Sequence, residues 1–135
     1  MGIRAARTVS IGVERLPGAV YDYVRDPRHL PVWAPSFAKS VHRRGDSWVV
    51  ETGLESLGFS FVAPNVLGVL DHRVTGANGL NSVNPMRVIA NGEGSEVLFT
   101  LFREPGMPDA DFARGLEAVR SDLSALKRVL ERPAA

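Results

Sequence analysis

Residues 108–132, PDADFARGLEAVRSDLSALKRVLER, decide how the rest of the chain is read. Their large apolar side chains, Phe112, Leu116, Val119, Leu123, Leu126 and Leu130, follow one another at alternating steps of four and three. That spacing predicts a long helix with one buried stripe. Asp109 and Asp111 near its start and Lys127, Arg128 and Arg132 near its end oppose the partial charges of the helix termini, and Pro133 closes it. Gly115, beside the stripe, costs about 1 kcal/mol relative to Ala. It marks a close approach to the element beneath, a gap left for a ligand, or a position with no assigned role.

Immediately upstream the period becomes two. Asn91-Gly92-Glu93-Gly94 supplies residues that tolerate a chain reversal, so 81–90 and 95–104 read as a hairpin. With Gly92 and Glu93 at the centre, Val88 faces Val97 and Met86 faces Phe99. Met86, Val88, Ala90, Val97, Phe99 and Leu101 then share one face, and Arg87, Asn91, Glu96 and Thr100 the other. Ile89, Leu98 and Phe102 fall on that outer face, which suits a helix flank or a homodimer contact.

Further turn signals at Gly45-Asp46, Pro64-Asn65 and Gly76 to Gly79 predict strands over 36–43, 47–53, 58–63 and 68–75. Val9, Ile11 and Val13 alternate with Ser10, Gly12 and Glu14 as a first strand. Leu16-Pro17-Gly18 then opens a short helix with Val20 and Val24 on one face. Pro27 and Pro31 restrict the next segment to a second short helical piece that turns Leu30 and Trp33 inward. The expected architecture is α+β: a curved antiparallel seven-stranded sheet wrapped around the C-terminal helix, with two short helices after the first strand, in one domain covering 1–135.

Composition narrows function by exclusion. Sixteen basic and fifteen acidic side chains leave a formal charge of +1, with no basic face of the kind nucleic acid requires. There is no cysteine, which removes disulfides, thiolate metal sites and thiol nucleophiles. No apolar run approaches the roughly 20 residues of a membrane span. Residues 1–7 lack the apolar segment of a secretory signal, so the expected location is the cytoplasm. His29, His42 and His72 have no metal-ligand spacing, Gly92-Glu93-Gly94 precedes a strand rather than a helix, and no Gly-x-Ser-x-Gly elbow occurs. Neither metal nor cofactor is expected.

Leu16-Pro17-Gly18-Ala19-Val20-Tyr21-Asp22-Tyr23-Val24, followed by Asp26-Pro27 and Leu30-Pro31-Val32-Trp33, resembles the opening of the START-like helix-grip superfamily, often grouped as SRPBCC. Gly68-Val69-Leu70-Asp71-His72, Asn91 to Glu96 and the helical Asp122-Leu123-Ser124-Ala125-Leu126-Lys127 are similar to its bacterial polyketide cyclase/dehydrase-like members. The resemblance implies a helix-grip fold with a hydrophobic cavity between sheet and C-terminal helix, closed at one end by Trp33. It implies ligand carriers, including lipid-binding ones, as well as cyclases, aromatases and hydratases.

His72 is the one histidine that alternation places inward, with Leu70 and Val74, while Asp71 points the other way and cannot orient it. It is the candidate general acid or base, weighed against a hydrogen-bonded structural histidine. The expected ligand wall comprises Trp33, Phe37, Val50, Phe59, Phe61, Leu70, His72, Met86, Val88, Phe99, Leu101, Arg103, Met107, Phe112 and Leu116. Arg103 is expected at the cavity mouth, either binding an acidic ligand or paired with Asp109 or Asp111. Three functions fit: a binder of a small hydrophobic or aromatic, polyketide- or lipid-like ligand; a cyclase, aromatase or dehydratase using His72; or a dimerising domain with a collapsed cavity.

Overall fold

The structure is a computed structural model that describes residues 2–133. Strand β1 (Ala6–Val13) leads into helix α1 (Pro17–Val24), a 3-10 turn at Pro27–His29 and the one-turn helix α2 (Leu30–Trp33). Six of the remaining seven strands are short: β2 (Ser40–Arg44), β3 (Ser47–Glu51), β4 (Ser56–Phe61), β5 (His72–Thr75), β6 (Asn81–Asn84) and β7 (Met86–Asn91). The longer β8 (Gly94–Phe102) and helix α3 (Asp109–Leu130) complete the chain.

The strands form two antiparallel sheets, ordered β1-β8-β7 and β2-β3-β4-β5-β6. The β7–β8 hairpin takes the register read from the sequence, Met86 opposite Phe99 and Val88 opposite Val97, with Gly92 in the left-handed region at φ 57°. Met86, Val88 and Val97 are buried as expected, whereas Ala90, at the hairpin end, is exposed. On the outer face Ile89 and Phe102 are exposed and Leu98 is half-buried.

The strand expected over 81–90 is split at Pro85, so the described residues form eight strands rather than seven. Proline donates no hydrogen bond and breaks the ladder. Before it, β6 pairs with β5; after it, β7 turns to β8. The segment expected as a strand over 68–75 spans this seam. His72 to Thr75 pair with β6, while Leu70 N–H donates to the Met86 carbonyl and the Gly68 carbonyl accepts from Val88 N–H. The strand expected from Ser36 begins only at Ser40, because Phe37 and Ala38 N–H groups continue the turn of α2 by bonding to the Ala34 carbonyl.

Helix α3 is anchored mainly through its C-terminal half. Leu123, Leu126 and Leu130 are buried in the core, while Leu116 and Val119 are only partly buried against it. Lys127 Nζ donates to the Gly12 carbonyl at 2.9 Å, Arg15 Nε to the Leu130 carbonyl, and the Glu14 N–H to Glu131 at 2.8 Å. Of the readings the sequence left for Gly115, the structure selects the close approach. A Cβ there would lie 3.0 Å from Leu101 Cδ2.

Gly68 sits at the seam with φ 74°, and a Cβ on it would overlap the Val88 carbonyl oxygen. Gly68→Ala should therefore lower unfolding free energy in urea by more than about 1 kcal/mol. An unchanged midpoint would show that the seam does not hold the two sheets together.

Candidate functional site

A pocket of about 270 Å³ lies beneath the middle of α3. Ala118, Val119, Asp122 and Leu123 of α3 form one wall, and Leu30, Trp33 and Ala34, with Ser36 and Phe37 beyond them, form a second. The floor comes from both sheets: Phe59, Val74, His72 and Asn84 from one, Phe99 and Leu101 from the other. Most of these groups are apolar or aromatic, and no Lys or Arg is among them.

His72 is 7% exposed and sits in an aromatic frame. Phe59 stacks on it at 5.2 Å and 24°, Phe61 meets it edge-on at 5.6 Å, and Phe99 lies 5.5 Å away. Its Nδ1 is 3.1 Å from the Leu70 carbonyl oxygen. A carbonyl only accepts, so Nδ1 carries the proton and donates. Burial drives the imidazole pKa from 6.5 down to about 4, against smaller upward effects of the Leu70 bond and the Asp71 charge. The ring is therefore neutral at neutral pH, and Nε2 is a lone-pair acceptor. Asp71 does not orient it. That carboxylate faces the other way, accepting from the Met86 N–H at 2.9 Å and pairing with Arg87.

Asp122 projects from α3 with 8% exposure. The Ser36 hydroxyl donates to one of its oxygens at 2.5 Å and the Ser36 N–H to the other at 3.2 Å. Burial raises its pKa, and the two bonds from Ser36 offset part of that rise. This clasp ties α3 to the chain leaving α2. Asn84 lies directly opposite His72 across the β5–β6 ladder, and its side-chain amide has no partner among the described residues. Trp33 Nε1 is the one fully enclosed side-chain polar atom without a partner among the described residues.

Of the residues expected in the ligand wall, Trp33, Phe37, Phe59, His72, Phe99 and Leu101 line the pocket. The others do not. Val50, Leu70, Met86 and Val88 are sealed in the core, at 0–3% exposure, where the sheets and α1 close tightly. Phe61 supports the His72 ring from outside the pocket. Arg103 is bound by its nearest acid, Asp109, and donates through Nε to the Met107 carbonyl at 2.9 Å, so both residues brace the start of α3. Phe112 and Leu116, on the first turns of α3, also lie outside the lining. His29 is only part-exposed, stacked on Tyr23 at 4.1 Å, while His42 is at the surface near Glu51.

Asp122, Ser36 and Asn84 are site residues that sequence reasoning missed. Asp122 had a usable signal, since it falls three residues after Val119 and four before Leu126, placing a carboxylate on the apolar side of the helix. Asn84 had none, because its facing depends on the break at Pro85.

No protein-family model and no curated protein matches this chain. Solved structures do. The Aha1 dimer from Colwellia psychrerythraea superposes with a TM-score of 0.76 at 14% identity, covering 94% of this chain and 96% of that one. A START superfamily protein from Mycobacterium smegmatis gives 0.69 at 12% identity, covering 93% and 97%. DynU16, a putative protein in the dynemicin biosynthetic locus, gives 0.70 at 20% identity; 93% of this chain matches 47% of that longer one. The chain has the helix-grip fold.

The burial of His72 has a consequence for stability. Between pH 6.5 and about 4 the unfolded imidazole takes up a proton that the folded one refuses. Stability is thus full above pH 6.5 and falls as pH drops toward 4, by roughly 3 kcal/mol at about 1.4 kcal/mol per pH unit. Asp122 acts in the opposite sense, since its raised pKa lowers stability as pH rises through it. A His72→Phe variant keeps the Asp122 effect and should lose the His72 one. Denaturant titrations at pH 7 and pH 4 should show a loss for the wild type larger by roughly 3 kcal/mol than for the variant; equal losses would mean that His72 is hydrated and ordinary.

Proposed function

We propose that residues 1–135 form one ligand-binding domain that takes a small, mainly apolar aromatic molecule into the pocket beneath α3. The observation that carries this reading is the pocket wall: four aromatic residues, Trp33, Phe37, Phe59 and Phe99, surround a volume of about 270 Å³ with a few convergent polar groups. Such a mixture is typical of small-molecule sites, although the volume lies just below their usual range of about 300–1,000 Å³. Size restricts the ligand. An apolar cavity of about 150 Å³ holds a benzene, so this pocket suits one substituted ring or two fused rings rather than a long lipid chain. The likeness in fold to a START superfamily protein and to DynU16 is in keeping with ligand handling.

General acid–base catalysis through His72 is the weaker reading. A catalytic base works best with a pKa near the working pH, whereas burial pushes this imidazole down to about 4, and the Asp71 charge on the other face of the sheet offsets only a small part of that. A collapsed cavity is disfavoured by the pocket itself. Exposed Ile89 and Phe102 on the outer face support a homodimer contact in addition to binding rather than instead of it.

Naphthalene, followed by quenching of tryptophan fluorescence, should bind saturably to the wild type. Ala118→Phe, which fills the pocket from α3, should weaken that binding at least about 10-fold, since the ligand and the new ring compete for the same space. Absence of saturable binding, or binding indifferent to this substitution in a folded variant, contradicts the proposal.

A further inference from the structure

The geometry points to His72 and Asn84 as a recognition pair for a hydroxyl group on a neutral one- or two-ring aromatic ligand. This deepens the pocket reading above and rests on it. The side chains of directly opposed strand residues stand side by side on one face of the sheet. His72 and Asn84 are such a pair, and both belong to the pocket lining. Both keep hydrogen-bonding capacity that the protein does not use, and unlike the unpartnered Trp33 Nε1 they are not fully enclosed. Asp122 already accepts twice from Ser36. His72 has used only Nδ1, on the Leu70 carbonyl, and the ring is held by Phe59, Phe61 and Phe99, so Nε2 is fixed in position as an acceptor. It is not walled in, because the one fully enclosed unpartnered side-chain atom among the described residues is Trp33 Nε1.

An acceptor of this kind selects a donor. A ligand hydroxyl satisfies it by donating to Nε2, and the same hydroxyl oxygen can accept from the Asn84 amide, so the pair grips one O–H group from both sides. A carbonyl or ether in that place would set a lone pair against a lone pair. Charge is selected as well. With no Lys or Arg in the lining and Asp122 within it, a carboxylate ligand would be buried without a counter-charge. Arg103, the side chain expected to supply one, is occupied by Asp109 and the Met107 carbonyl.

The test compares 2-naphthol, 2-methoxynaphthalene, naphthalene and 2-naphthoate on the wild-type protein at pH 7, by fluorescence titration or calorimetry. 2-Naphthol should bind about 5- to 10-fold more tightly than naphthalene, the gain of roughly one net hydrogen bond. 2-Methoxynaphthalene should lose that gain, and 2-naphthoate should bind more weakly than naphthalene. Asn84→Ala and His72→Phe should each bring the ratio of 2-naphthol to naphthalene affinity toward one. Equal binding of 2-naphthol and naphthalene, a preference that survives His72→Phe, or tighter binding of 2-naphthoate overturns the inference and leaves the apolar pocket standing. If none of the four binds, the pocket reading falls and this inference with it.

Discussion

The anchorage of α3 by its C-terminal half governs the rest of the molecule. Leu123, Leu126 and Leu130 fill the core, and Lys127, Arg15 and Glu131 bind the end of the helix to the junction of β1 and α1. One of them, from Arg15 Nε to the Leu130 carbonyl, engages a carbonyl that the helix end leaves unmatched. The first half of the helix has no comparable set of buried side chains. It is braced through Arg103 and Asp109 and by the close contact of Gly115 with Leu101. Between these two supports, the stretch from Ala118 to Leu123 spans a floor of aromatic side chains without filling it. The pocket is a product of that difference in packing.

A second constraint gives the pocket its chemistry. Pro85 breaks the ladder between two sheets, and the chain from Gly68 to Thr75 bridges the break by bonding first to β7 and then to β6. Asp71 lies at the crossing, where it receives the Met86 N–H and the Arg87 guanidinium on one face. Alternation then sends its neighbour His72 to the opposite face, among phenylalanines. The acid and the imidazole are adjacent in sequence and separated by the sheet. Burial among those rings leaves the imidazole neutral and weakly basic, a group suited to accepting a hydrogen bond rather than a proton.

The parts of this fold that depend on local periodicity were legible in the chain itself. The stripe of α3, the alternation in β1 and the register of the β7–β8 hairpin come from residue spacing alone, as does the inward direction of His72. The division of a strand at Pro85 does not, because a proline is compatible with an edge, a bulge or a change of partner, and only the tertiary pairing decides among them. The expected wall was too wide for the same reason. An apolar residue facing inward is equally suited to a sealed core and to a ligand surface, and Val50, Leu70, Met86 and Val88 went to the core. Asp122 was hidden by its place beside an apolar stripe, where a single carboxylate reads as an edge residue until its partner Ser36 is seen.

The proposed recognition turns on a neutral His72 held in one tautomer at the pocket floor. Nitrogen chemical shifts of the imidazole in ¹⁵N-labelled protein at pH 7 report this directly. The expected spectrum has a protonated Nδ1 and an unprotonated Nε2, unchanged down to about pH 5 for a group whose pKa is about 4. A protonated Nε2, averaging between tautomers, or conversion to imidazolium near pH 6.5 would contradict it.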